Sequence, residues 1–168
     1  MRTIVATTLL LGLGALGFLA AGGLAGAGTN GTISLRTTKL GPILVNSKGR
    51  TLYLFAKDRS GRTMCTGACA GFWPPLVTRG KVSTGTGVKK ALVGTTKRSN
   101  GMTQVTYNRH PLYTYALDRR AGQTRGQRVS AFGGRWYAVS AAGKAVVQTS
   151  PPTVTTTTTT TEPYPTDP

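Results

Sequence analysis

The tract YLFAKD, residues 53–58, returns sixty positions later as YTYALD, residues 113–118. Both read Tyr-x-aromatic-x-x-Asp, and the match extends well beyond six residues. Val45 and Val105 each stand eight positions before the tyrosine, and Leu52 and Leu112 immediately precede it. After each aspartate comes a polar loop with glycine and basic residues, and then an aromatic pair, Phe72-Trp73 or Trp136-Tyr137. The spacing from tyrosine to tryptophan is 20 in the first half and 23 in the second. Such self-similarity predicts a duplicated β unit whose two copies share one core.

The local signals are those of short strands. Residues 43–46 and 51–57 read as two strands joined by a turn at Ser47-Lys48-Gly49. In the second of them Leu52, Leu54 and Ala56 alternate with Tyr53, Phe55 and Lys57, so both faces carry apolar groups. Residues 95–107 read as a hairpin with a type I′ turn at Asn100-Gly101. A second turn over 108–111 leads into a strand at 112–117, and a last hairpin turns near Ala142-Gly143. One helical turn is expected in CTGACAGFW before Pro74-Pro75 stops it, and another short helix over 88–93. The expected fold is therefore mainly β: a small antiparallel domain from two pseudo-repeated units with one or two short helical turns.

The ends read differently. Arg2, an uncharged Leu/Ala/Gly run and Ala25-Gly26-Ala27 mark residues 1–27 as a secretory signal, with an uncleaved N-terminal anchor as the alternative. Residues 28–39 are expected to be a flexible lead-in, 40–148 the repeat domain with copies at about 40–80 and 100–148, and 149–168 a disordered Thr/Pro tail. No Cys lies near the cleavage point, which argues against a lipid anchor.

Export frames the cysteines. Cys65 and Cys69 are the only two, spaced Cys-x-x-x-Cys, and predict a disulfide across one helical turn. A staple worth about 2 kcal/mol is the plain reading, and a redox-active pair the sharper one. Met64, Met102 and the single His110 complete no convincing soft-metal set, so neither metal nor cofactor is expected.

The chain carries 21 Lys and Arg against 4 Asp and Glu, a net charge of +17. Two of the acids, Glu162 and Asp167, fall in the tail, which leaves the body with Asp58 and Asp118, one in each motif. Tyr53 and Phe55, like Tyr113 and Tyr115, stand two apart and share a strand face, with the aspartate just past the strand end. There a carboxylate can accept from loop N–H groups and hold the following loop, with Arg50, Arg59, Arg62, Arg119 or Arg120 near enough to pair. The alternative is a pair of carboxylates in one cleft, as a hydrolase needs.

The tracts GRTLYLFAKD, CTGACAGFWPPL, QVTYNRHPLYTYALD and GGRWYAVSAAGK together resemble the family of secreted repeats of unknown function, predicted lipoproteins with a Tyr-x-aromatic-x-x-Asp motif. The resemblance implies an exported bacterial protein with tandem repeats and brings no activity with it. The residues it singles out are Tyr53, Phe55, Asp58, Trp73, Tyr113, Tyr115, Asp118 and Trp136.

The leading expectation is a non-enzymatic cell-envelope or extracellular module that binds an anionic partner, either a polyanionic wall polymer or an anionic lipid surface. Export argues against nucleic acid, despite aromatics interleaved with basic residues. The alternatives are an extracytoplasmic redox accessory acting through Cys65 and Cys69, and a hydrolase acting through Asp58 and Asp118.

Overall fold

The computed structural model describes residues 31–147; the signal expected over 1–27 and the tail over 149–168 lie outside the described residues. The described residues form ten short strands in three small sheets, with one five-residue helix. β1 (Thr32–Thr38) and β2 (Gly41–Val45) form an antiparallel hairpin, and β5 (Ser83–Thr84) adds to β1 in parallel. β6 (Val93–Lys97) and β7 (Thr103–Tyr107) form the matching hairpin of the second copy, flanked by β4 (Val77–Thr78) and β8 (His110–Pro111). β3 (Tyr53–Phe55) pairs with β10 (Gly134–Ala138), which also pairs with β9 (Ser130–Ala131).

Several expectations need correction. The lead-in over 28–39 contributes β1, whose Ile33 is wholly buried; polar Thr and Arg on its outer face hid the strand. The strand at 51–57 shortens to β3, because Ala56 and Lys57 already turn and Asp58 N–H donates to Phe55 O at 3.0 Å. Residues 112–117 form only isolated bridges at Tyr113. The helix at 88–93 is a 3-10 turn at Lys90–Leu92, and Val93 already belongs to β6. The helix in the cysteine tract, α1 (Ala68–Phe72), starts after Cys65. The bridge therefore spans a turn rather than one helical repeat, with Cα atoms 5.3 Å apart.

The type I′ turn also lies elsewhere. At Asn100-Gly101 only the glycine has positive φ (79°), whereas Asn108 and Arg109 both do, at 47° and 65°. They are the two-residue link between Tyr107 and His110, where a type I′ turn follows the twist of the strands.

The two copies build two cores rather than the single one expected. β3 explains why: it is buried on both faces, and its side chains alternate between the cores. Leu52 and Leu54 enter a mostly aliphatic cluster with Ile33, Leu44, Val105, Leu112 and Val139. Tyr53 and Phe55 enter an aromatic one with Trp73, Tyr113, Trp136 and the cystine. Both clusters draw on both copies.

The relation between the copies is an exchange. Tyr53 and Tyr113 face each other across an isolated bridge, each N–H donating to the other's carbonyl, at 2.8 and 3.0 Å. The segment after the tryptophan of each copy then pairs its backbone with the other copy's tyrosine. Ala138, two residues past Trp136, pairs with Tyr53, and Pro75, two residues past Trp73, bridges to Tyr113. The same approximate two-fold relation puts Val139 N–H on Leu52 O at 3.1 Å and Leu76 N–H on Leu112 O at 2.8 Å.

Candidate functional site: the exchanged Tyr–Asp pairs and the basic loop

The exchange decides what the motif aspartates do. Tyr53 Oη donates to Asp118 Oδ2 at 2.6 Å, and Tyr113 Oη donates to Asp58 Oδ2 at 2.8 Å. Each tyrosine thus uses the other copy's carboxylate. The second oxygen holds the following loop: Asp58 Oδ1 accepts from Met64 N–H at 2.7 Å, and Asp118 Oδ1 from Arg125 N–H at 2.9 Å. Each aspartate holds the loop that follows its own strand, as expected from the sequence, and its bond to the other copy's tyrosine is a second contact that the spacing does not reveal. The chain turns at Ala56-Lys57 and at Ala116-Leu117 between each tyrosine and its own aspartate, so spacing along the sequence does not say which phenol reaches which carboxylate.

Between the pairs lies a column of rings. Phe55, Trp136, Trp73 and Tyr115 stack in that order, with centroids 4.2, 3.9 and 4.2 Å apart; the two indoles are tilted by only 2°. Tyr53 and Tyr113 meet the tryptophans edge-on, at 5.4 and 5.1 Å. Gly126 borders the column, and a Cβ there would sit 2.8 Å from both Trp73 and Tyr53. Phe72, the other member of its aromatic pair, is half exposed and touches Phe132 outside the column. Of the remaining sequence candidates, His110 is half-buried in β8 and Met102 is exposed, while Met64 is exposed and enters the site only through its backbone N–H.

Asp118 is buried and Asp58 half-buried. Burial pushes the Asp58 carboxyl up to about 6, against the downward pull of Met64 N–H, the Tyr113 hydroxyl and the Arg98 guanidinium. Burial likewise raises Asp118, although Tyr53 and the N–H and charge of Arg125 act the other way. Both phenols are raised, by burial first and by their carboxylate partners second. His110 is lowered by burial. A carboxyl raised in the folded state binds extra protons there, so its stabilisation is complete below about pH 4 and lost as pH rises through about 6. The melting-temperature advantage of wild type over Asp58→Asn should therefore be larger at about pH 4 than at about pH 7. Thermal melts at the two pH values check this, and a smaller advantage in acid would sink it.

The copies have diverged around this shared frame. In one half, Arg98 turns inward and is buried. Its guanidinium donates to Gln104 Oε1 at 2.6 Å, Cys65 O at 2.7 Å and Thr63 Oγ1 at 3.1 Å. Thr63 in turn touches Tyr113 Oη at 2.6 Å. The Cys65–Cys69 disulfide staples that loop and is itself buried, which shields it from attacking thiolates. The other loop, after Asp118, has no staple and stays basic and exposed at Arg119, Arg120 and Arg125.

All but one of the 21 basic residues fall within the described region, which holds just two acids, Asp58 and Asp118. Arg98 is buried and Arg50 half-buried; every other Lys and Arg there is exposed. Asp118 is fully buried and Asp58 is engaged at both oxygens. The structure thus combines an internally duplicated β domain, sealed by exchanged Tyr–Asp pairs, with a cationic surface.

The chain belongs to the family of secreted repeats of unknown function, which matches it twice, at residues 34–77 and 94–140, over more than half its length. The matched segments begin sixty residues apart, the spacing of the two tyrosines, and each starts before the copy boundaries read from the sequence, because each includes a first hairpin strand. The family description places the protein outside the cytoplasm. Among the described residues no helix is long and apolar enough to cross a membrane. No curated protein and no solved structure matches the chain.

Proposed function

We propose that this protein is a non-enzymatic extracytoplasmic module that binds a polyanion of the cell envelope. The observation that carries the reading is the placement of the acids. Both carboxylates of the described domain face inward as hydrogen-bond acceptors, Asp118 buried and Asp58 half-buried, while all but two of its Lys and Arg are exposed. A field of one sign attracts and retains polyanions. The same bonds speak against hydrolysis, since both oxygens of each aspartate are already engaged.

The test is retention of the mature protein on immobilised inorganic polyphosphate across a salt series. Strong retention at about 50 mM salt, lost steeply by several hundred millimolar, is expected when several phosphates are neutralised together. Passage through the column at about 50 mM would end the proposal.

A further inference from the structure

We infer that the polyanion is held in one cleft, between β1 of the first copy and the loop after Asp118 of the second, and that the cleft is built for successive anionic phosphate groups on a linear chain. This rests on the polyanion-binding reading and adds its location and chemistry.

Two grooves meet there. One, of about 660 Å³, is lined by Arg36 and Lys39 on one side and by residues 121–125 on the other. The second, of about 490 Å³, is lined by Leu117, Arg119, Arg120, Gln123 and Arg125. They share Gln123 and Arg125, so the two grooves adjoin and five basic side chains line them together. Four are arginines, whose planar forks match phosphate oxygens two at a time.

The wall carrying three of them is held in place. Arg125 N–H is tied to Asp118, Arg120 N–H to Gln123 Oε1 at 2.9 Å, and Gly122 N–H to Gly49 O at 2.9 Å. Thr51 Oγ1 donates to Gln123 O at 2.7 Å, fastening the loop to the first copy. A loop ordered in advance loses less entropy on binding. Arg36 comes up against the same loop, with its Nη1 3.1 Å from where a Cβ on Gly122 would stand.

The other half lacks the arrangement. Sixty residues on, Arg36 and Lys39 correspond to Thr96 and Ser99, and the nearby Arg98 is spent internally. The cleft needs one wall from each copy, so it exists only once the copies have packed. Its cluster of forked cations suits successive phosphates of a polymer, and to a lipid surface it offers only Leu117 as an exposed large apolar group.

Affinity for inorganic polyphosphate would be measured by fluorescence titration over a salt series, beside binding to phosphatidylglycerol vesicles. Arg119→Gln/Arg120→Gln/Arg125→Gln is compared with the charge-matched Lys81→Gln/Lys89→Gln/Lys90→Gln; glutamine keeps the Arg125 N–H that Asp118 needs. The arginine triple should weaken polyphosphate binding about tenfold or more and lower the salt slope by about two to three, and the lysine triple should weaken it less than about threefold. Arg36→Gln/Lys39→Gln, on the opposite wall, should reproduce the loss with an unchanged melting temperature.

Equal weakening by the two triples would overturn the cleft while leaving the polyanion-binding reading intact. Binding to vesicles without binding to polyphosphate would also overturn it. If wild type fails to bind polyphosphate, whether or not it binds vesicles, the broader reading fails as well.

Discussion

Trp136→Ala is expected to destabilise the domain by about 4 kcal/mol, and to lower its melting temperature by on the order of 15 °C. Trp136 is fully buried, with Trp73 stacked on one side, Phe55 on the other and Tyr113 against it edge-on. Truncation removes the burial of an indole and leaves a cavity whose walls are rings from both copies, which cannot close without unstacking. Trp73→Ala should cost a similar amount, since Trp73 has the equivalent place against Tyr115 and Tyr53. Phe72→Ala, one residue away in sequence but half exposed, should cost less than about 1 kcal/mol. Urea denaturation of the three variants decides the matter. A loss under about 1.5 kcal/mol for Trp136→Ala would mean that the column does not hold the copies together.

The second large effect concerns the exchanged pairs. Asp118→Ala strands a buried phenol and a loop N–H in a dry site, and should cost about 2–4 kcal/mol. The informative experiment is a double-mutant cycle. Tyr53→Phe with Asp118→Ala should show a coupling of about 1–3 kcal/mol, because the two groups share a 2.6 Å hydrogen bond. Tyr53→Phe with Asp58→Ala, the pair within one motif, should be additive to about 0.5 kcal/mol. Tyr113 should behave reciprocally, coupling to Asp58 rather than to Asp118. If coupling runs within each motif instead, the exchange described here is wrong.

The same pairs show how far sequence reasoning reached. Residues two apart on a strand share a face, so Tyr53 and Phe55 could be separated from Leu52 and Leu54 without coordinates; the two sets do enter different cores. The Cys65–Cys69 bridge followed from export and an even count. β1 was missed because its buried Ile33 and half-buried Leu35 alternate with polar residues in a stretch that composition marks as a leader. The I′ turn was assigned to Asn100-Gly101 by residue preference alone, but the five-residue link there needs positive φ only at the glycine. At Asn108-Arg109 the pairing of Tyr107 with His110 leaves two residues for the reversal and forces both to positive φ, against the intrinsic preference of arginine.

By itself the sequence determined the duplication, the alternation that gives β3 two buried faces, the loop-holding aspartates and the excess of positive charge. Those are properties of spacing and composition, legible in one dimension. Tertiary structure alone decided which tyrosine meets which aspartate, that the tryptophans stack on each other, and that Arg98 turns inward while Arg119, Arg120 and Arg125 stay out. Two near-identical units can pack side by side or exchange segments with almost the same residue pattern. Only the packing of rings and the reach of a phenol between strands separate the two outcomes.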